Sequence, residues 1–589
     1  MKNYLLFIVD SLNYSHVKAS PVPLMPFCDS IAPESIVCDN MYSQAPYTEA
    51  AVMNLYCGQN VLDHGGYLRR FADAPQTLFE VMREAGYRTY YNSFQPQCYP
   101  SSLRRGVDDL YYNVGYDLGA LWSYRLGHYA ALHRRGALTA ADYRMLEDIL
   151  ADNLAEWERF VQEYLGKAPA VEMIADNNHA YNAEAVLGEV REHRAQLAAD
   201  PAGYINALLE QGTAHALFEI PAYVQDKKIG SKEAQREIAR LFRPLLREIR
   251  RRDFRYNLKN NKGFSKGTFR CFGNMLAHPG KRSLKDFLKS AYFTVNVLRD
   301  LDLYQRMGEG SDTFKAAPSA RTHIDHYLKW ADAHRDEGHF ACIHVDDVHN
   351  PEMFHTYDSE DSALLTRERD EARALIDALP KDYKGSITHD LSLRYIDGVI
   401  RYLFEQMQEK GLLQDTCVIL TADHGFSFSA NPVRDSFVVN LYLENYNIPC
   451  YIYNSGLPAA RLDKLCTSKD IPATLCALAT GNVPESFNGH SLLEAHTYPE
   501  VMIEYCGGGC PDLSRRELKI AAFNAHTFVG TLGTLENCSD ESVSEIYDLE
   551  KDPLQLHNLA PEALHTDEAR ALLARINARK AEIAAALTT

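Results

Sequence analysis

Two apolar runs, almost the whole chain apart, end in groups that bind cations. Tyr4-Leu5-Leu6-Phe7-Ile8-Val9 stops at Asp10-Ser11, and Thr416-Cys417-Val418-Ile419-Leu420-Thr421-Ala422 stops at Asp423-His424-Gly425. Two carboxylates and an imidazole are hard and borderline donors, a set that suits a divalent metal ion. Either segment alone reads more simply as a polar turn or a helix cap. A third segment changes the balance: Ser43-Gln44-Ala45-Pro46-Tyr47-Thr48-Glu49-Ala50, running on to Cys57-Gly58. Pro46 ends an extended stretch, Thr48 stands where an N-cap belongs, good helix formers follow, and Gly58 stops the helix. A hydroxyl there faces unpaired backbone N–H groups and the positive end of the helix dipole. Beside a metal it could ionise and attack phosphorus or sulfur. The plainer alternative is that Thr48 only caps its helix.

The elements around these residues read as an α/β protein. A short apolar run rich in β-branched residues predicts a strand buried on both faces of a parallel sheet, where ligands gather at the carboxyl ends. Residues 1–115 alternate strand and helix, the first half of a doubly wound catalytic sheet. Residues 116–335 turn mainly helical and read as a large insertion. Its clearest stretch is Arg236 to Arg252, where Ile238, Leu241, Phe242, Leu245, Leu246 and Ile249 form one apolar stripe interrupted by Pro244. The sheet resumes at Phe340-Ala341-Cys342-Ile343-His344-Val345, and residues 336–490 complete it. Residues 491–589 read as a small α+β subdomain, with strands at Glu517 to Phe523 and Thr527 to Gly530 and a helix from about 567 to 586.

Composition sets the class. With 589 residues, 46% of them hydrophobic, the chain can bury a large core and more than one unit. No 18-residue apolar span predicts a transmembrane helix. Met1-Lys2-Asn3 leads directly into a core strand, without a small-residue cleavage site. Thirteen cysteines, an odd count scattered through apolar runs, fit the reduced thiols of a cytoplasmic protein. Cys506 and Cys510 flank three glycines and read as loop thiols. Charge is uneven: residues 226–290 hold 19 Lys and Arg against 6 Asp and Glu, a local +13 in a chain of net −18. That segment is expected to meet an anionic surface, either a phosphorylated glycan or a lipid headgroup layer, or else to pack on the acidic body. Nucleic acid is not expected, since no binding motif accompanies the charge.

The order of motifs resembles the sulfatase branch of the alkaline phosphatase superfamily. Pro23-Leu24-Met25-Pro26-Phe27-Cys28-Asp29-Ser30 is similar to the opening segment of that family, Ala85-Gly86-Tyr87-Arg88-Thr89 to its Gly-Tyr-x-Thr signature, and Gly106-Val107-Asp108-Asp109 to its Gly-Phe-Asp. Asp347-Val348-His349-Asn350-Pro351 resembles the central Asp-x-His segment. Asp470-Ile471-Pro472-Ala473-Thr474-Leu475, Gly489-His490-Ser491-Leu492-Leu493 and Ile546 to Pro553, with Asn558-Leu559 behind it, match later ones. Residues from about 115 to 335 carry no such likeness. The resemblance implies Asp10, Thr48, Asp423 and His424 as ligands of one divalent ion (Mn, Zn, Mg or Ca). It makes Thr48 the nucleophile, ten positions before Gly58 as the family keeps it. His349 and His64 become substrate contacts.

The departures choose the chemistry. Sulfatases in this branch carry a Cys or Ser in Cys-x-Pro-x-Arg, which becomes formylglycine; here the run is Thr48-Glu49-Ala50-Ala51-Val52. The two lysines that usually hold sulfate fall, by simple register, on Phe94 and near Val438. Threonine instead resembles the phosphodiesterases and the phosphoethanolamine or glycerophosphate transferases, which pass through a phospho-threonine. The expectation is a metal-dependent phosphoester hydrolase or phosphotransferase working through Thr48, with Tyr47, Glu49 and Asn92 as supporting groups. Its substrate would be a phosphoester of a glycan or a lipid-linked alcohol. The alternatives are a sulfate-ester hydrolase without formylglycine and a non-catalytic binder of anionic glycans. A second ion would need Asp346 or Asp347, His349 and His490, but the Asp347-x-His349 spacing fits the one-ion pattern.

Overall fold

The computed structural model describes residues 2–63, 74–93, 105–112, 129–130, 132–167, 182–211, 240–245, 248–249, 251–252, 262–300, 319–349, 362–383, 385–426, 440–506, 517–534, 543–560 and 562–588. Its centre is the pair of apolar runs. They form neighbouring parallel strands, β1 (Asn3–Val9) and, seventh in chain order, β7 (Thr416–Ala422), each buried along its whole length. Between these in sequence lie β2 (Ser35–Cys38), β3 (Met41–Tyr42), β4 (Arg88–Ser93), β5 (Asp109–Tyr112) and β6 (His339–Val345). After them come β8 (Asn447–Ile448), β9 (Cys450–Tyr453), β10 (Ala460–Leu462) and β11 (Cys466–Thr467). The main sheet has eight strands in the order β10-β2-β9-β7-β1-β6-β4-β5. Helices cover it, an arrangement forced by strands that are apolar on both faces.

The sheet is mixed rather than wholly parallel. Strand β9 runs antiparallel to both β7 and β2, while β7, β1, β6, β4 and β5 run together. The register of the three middle strands matters most. Val9 lies level with Val345 of β6 and with Ala422 of β7. The next residues are Asp10, Asp346 and Asp423, so three acidic side chains leave one rim of the sheet together.

A second sheet, β12 (Val501–Cys506), β13 (Glu517–Phe523), β14 (Thr527–Thr534) and β15 (Val543–Asp548), is an antiparallel meander with the helix Asp567–Thr588 packed on it. It is tied to the body beneath the Thr48 segment. Arg579 on that helix donates to both oxygens of buried Glu504 (2.6 and 2.8 Å) and to Asp63 (2.6 Å). Glu504 in turn accepts from the Leu62 amide at 2.8 Å.

Between β5 and β6 the described residues are helical. Ala140–Leu165 packs on Ala183–Ala199, and Lys262–Ala277 on Lys281–Asp300. In the stripe read from Arg236 to Arg252, Phe242, Leu245 and Ile249 are buried, and Pro244 is helical together with the described residues 240–245. Ile238, Leu246 and Arg250 lie outside the described residues. Arg252 is no free basic group: it donates to the carbonyls of Ile376 (3.0 Å) and Pro380 (2.6 Å). Among the described residues no helix is long and apolar enough to cross a membrane. The ten described cysteines, Cys506 included, are free thiols; Cys510 lies outside the described residues.

Candidate active site

Asp10 and Asp423 extend from β1 and β7, and Ser11 fixes them both. Its amide donates to Asp423 Oδ1 (3.1 Å) and its hydroxyl to Asp10 Oδ1 (2.8 Å). To do so Ser11 adopts φ +62°, a left-handed conformation that costs a non-glycine residue about 1–2 kcal/mol. The His424 amide also donates to Asp423 Oδ1, at 2.8 Å. Asp423 Oδ2 is thus left buried, accepting no hydrogen bond from the described residues.

His424 is oriented by its own turn. Its Nδ1 lies 2.6 Å from the Gly425 carbonyl, so that nitrogen carries the proton and Nε2 presents a lone pair. Nε2 stands 3.7 Å from Asp10 Oδ1 and 3.5 Å from Asp423 Oδ2. The turn demands glycine at 425, since a Cβ there would meet the Glu444 carbonyl at 2.4 Å.

Thr48 is the first residue of the helix Thr48–Cys57, not its cap. The N-cap is Tyr47, whose side chain makes no capping bond; its hydroxyl donates instead to the Cys506 carbonyl at 3.0 Å. The extended backbone of Tyr47 makes it the N-cap and starts the helix one residue earlier than expected. The Thr48 hydroxyl is thereby released from capping. It donates to Asp10 Oδ2 at 3.0 Å and lies 3.3 Å from His424 Nε2. Gly58 closes the helix in the left-handed region, φ +59°.

The sequence reading missed His344. It lies in β6, level with Ile8 of β1, which is itself level with Thr421 of β7. Side chains two residues apart on a strand share a face, so His344 points to the same side as Asp10 and Asp423. Fully buried, its Nε2 lies 3.9 Å from Asp10 Oδ2 and 3.7 Å from Asp423 Oδ2. Among the described residues, Asp10, His344 and Asp423 form a group of metal-binding side chains close enough to share an ion. The available signal was a lone imidazole inside an otherwise apolar strand.

The electrostatics are those of a crowded acidic pocket. Burial pushes Asp423 up to about 7, helped by the neighbouring charge of Asp10. Burial acts on Asp10 in the same direction, but the charges of His349, His424 and His344 outweigh it and hold Asp10 below the usual carboxylate value. Burial pulls both His344 and His424 below the ordinary imidazole value, against the raising pull of the carboxylates beside them. Two carboxylates, two imidazoles and a hydroxyl line this buried space, a donor set that suits a divalent cation, with the ligand atoms of Asp10, His344 and Asp423 all within 4.8 Å of one another.

The remaining expected residues fall unevenly. His349 sits at the open edge, with Nδ1 3.8 Å from Asp346 Oδ1 and its ring 6.0 Å from that of Phe426. Glu49 is buried in the first turn beside Thr48. Asn92 is turned away: its amide donates to Tyr90 and to the His323 carbonyl, and its oxygen meets His323 Nδ1. Asp347 accepts from the Ala320 amide at 3.0 Å, at the start of the helix Ala320–Ala333. His490 stacks on His496, its amide bonded to Asp470, so the two-ion set is not assembled around it. His64, Phe94 and Val438 lie outside the described residues.

A sequence model of the sulfatase family matches residues 2–164 and 252–481, and the chain belongs to that family. The match enters the helical stretch from both ends, although the motifs showed no likeness there. An ulvan-active sulfatase from Formosa agariphila is 25% identical over 199 residues, which are 32% of this chain and 37% of that protein. Among solved structures, a putative sulfatase from Bacteroides fragilis superposes with TM-score 0.50 at 11% identity, covering 100% of this chain and 97% of that one. A phosphonate monoester hydrolase of Agrobacterium radiobacter gives TM-score 0.49 at 13% identity over 99% and 96%. The chain is therefore a sulfatase-family member with a sulfatase-like fold, and it spans little more than a third of the length of the curated relative it matches.

Proposed function

We propose that this family member acts on phosphoesters through a covalent Thr48 intermediate, rather than on sulfate esters through formylglycine. One observation carries the reading: a threonine stands where the family's oxidisable residue would be, its hydroxyl bonded to Asp10 and 3.3 Å from His424 Nε2. A divalent ion held by Asp10, Asp423, His424 and the Thr48 oxygen would lower the hydroxyl pKa and neutralise phosphoryl charge. The chain's residues do the rest. Asp10 Oδ2 accepts the hydroxyl proton and aims the Thr48 oxygen. The helix N-terminus at Thr48 offers backbone N–H groups to the phosphoryl oxygens. The Thr48 oxygen forms a bond to phosphorus as the bond to the leaving alcohol breaks, and His349 at the open edge supplies that alcohol with its proton. Water or an acceptor hydroxyl then attacks the phospho-threonine, giving hydrolysis or transfer.

The ulvan-active relative supports a glycan as the alcohol part of the substrate, and a lipid-linked alcohol fits the basic stretch 226–290 equally. The test is intact-protein mass spectrometry after incubation with a panel of phosphodiesters and sulfate esters. A phosphoryl-sized adduct mapped to Thr48 and absent from Thr48→Ala supports the reading. Turnover of sulfate esters alone, with no adduct, would replace it with sulfate-ester hydrolysis.

A further inference from the structure

The resemblance to sulfatases gives four protein donors to the ion and no role to His344, yet that side chain faces the same two carboxylates. Its Nε2 stands 3.9 Å from Asp10 Oδ2 and 3.7 Å from Asp423 Oδ2. These separations are too long for hydrogen bonds. They suit donors sharing one ion: bonds of about 2.1 Å put adjacent ligands about 3 Å apart and opposite ones about 4.2 Å apart. Three further pairs fall in the same interval: Thr48 to Asp10 Oδ2 at 3.0 Å, His424 to Asp423 Oδ2 at 3.5 Å and His424 to Asp10 Oδ1 at 3.7 Å. The imidazole is also placed rigidly. It lies one residue before the end of β6, flanked by β1 and β4, and level with Ile8 and Ser93. It cannot swing away as a loop histidine could.

We infer that His344 is a fifth protein ligand and the residue that makes this site select a transition-metal ion over Ca²⁺ and Mg²⁺. The inference rests on the proposed placement of a divalent ion between Asp10 and Asp423. Two carboxylates with a hydroxyl form an all-oxygen set that hard cations accept. Adding one imidazole makes the set intermediate. Adding a second, from the opposite neighbour of β1, shifts it toward Zn²⁺, Mn²⁺ or Fe²⁺, whose affinity for imidazole nitrogen far exceeds that of Ca²⁺. Five protein donors also leave at most one position of an octahedral ion for substrate oxygen, a tighter site than four donors provide.

X-ray absorption spectroscopy of the full-length protein loaded with Zn²⁺ tests this without any turnover. The wild type should show two imidazoles on zinc, and His344→Asn and His424→Asn should each show one. Zinc affinity of His344→Asn should fall about tenfold or more, with Ca²⁺ affinity changed less than about threefold. A single imidazole in the wild type would overturn the inference and leave the ion site intact. Equal weakening toward both ions would overturn the selectivity. Failure of the wild type to bind any divalent ion would instead refute the ion site itself. If the variants do not fold, the wild-type count of two or one still decides.

Discussion

Replacing Thr48 separates the nucleophile from the helix start, because the two roles cost different amounts. In the structure the hydroxyl is a buried donor to a buried carboxylate, and Tyr47 is the cap. Removing a hydrogen bond to an ionised carboxylate costs about 1.5–3 kcal/mol. The lost methyl adds about 0.8 kcal/mol, and the better helix propensity of alanine returns about 0.5 kcal/mol. Thr48→Ala should therefore lower the metal-free stability by about 2–3 kcal/mol in urea unfolding, more than loss of a cap (about 1 kcal/mol). Thr48→Val, which restores the methyl, should recover part of that. Both should lower kcat on a chromogenic phosphodiester by about a thousandfold or more, since both remove the proposed attacking oxygen while the Ser11 hydroxyl stays bonded to Asp10 Oδ1. Thr48→Ser keeps the attacking oxygen and should stay within about tenfold of the parent. An alanine variant that turns over as fast as wild type would refute the reasoning. So would a serine variant as inactive as alanine, because the methyl has no chemical part in the step.

One tightly bound divalent ion per chain should be found by elemental analysis of purified protein; two zinc ions would move His349 from substrate contact to ligand. Acid should destabilise the fold through two buried histidines that are not among the proposed ion ligands. Burial holds His323 down to about 3 and His339 down to about 4, whereas both titrate near 6.5 when unfolded. Below that value the unfolded chain takes up two protons that the folded one refuses. Stability from this pair is full above about pH 7 and falls by up to about 2.7 kcal/mol per unit between pH 6 and 4; urea midpoints that do not move over this range would contradict it. Arg579→Met should cost about 3–5 kcal/mol, because Glu504 and Asp63 lose their shared partner, and Glu504→Gln in the same chain should recover part of the loss. Reversing Arg282, Lys285 and Lys289 to Glu, exposed on the helix Lys281–Asp300, should raise KM for an anionic polymeric or lipid-linked substrate in low salt. The same change should leave a small phosphodiester unaffected; equal loss on both would assign the segment to the fold.

The acidic rim was legible because burial on both faces leaves an unbroken apolar run, and an acidic residue that ends such a run stands out. Asp10 and Asp423 needed no knowledge of pairing to be noticed. The direction of β9 was hidden for the converse reason: Cys450 to Tyr453 is apolar whether its neighbours run with it or against it. The helix start at Thr48 was missed by one residue, since an extended tyrosine is not a typical cap and its backbone geometry is invisible in sequence. Arg252 shows the limit of counting charge. It contributes to the +13 of its segment, yet its guanidinium is spent on three backbone carbonyls.

His344 shows why the site was only partly readable. A histidine within Phe340-Ala341-Cys342-Ile343-His344-Val345 reads as a core residue with a satisfied ring, and nothing in the run says otherwise. Its meaning comes from register, which couples segments hundreds of residues apart. Val345, Val9 and Ala422 end their strands at one level, so the residue one step back on β6 faces the space that Asp10 and Asp423 enter from one step beyond. A slip of one residue in β6 would turn His344 to the other face of the sheet. The apolar pattern of β6 gives no warning of such a slip, because both its faces are buried. The parallel pairing with β1 therefore places the fifth donor, and the chemistry of the site depends on an alignment of three strand ends that sequence motifs do not encode.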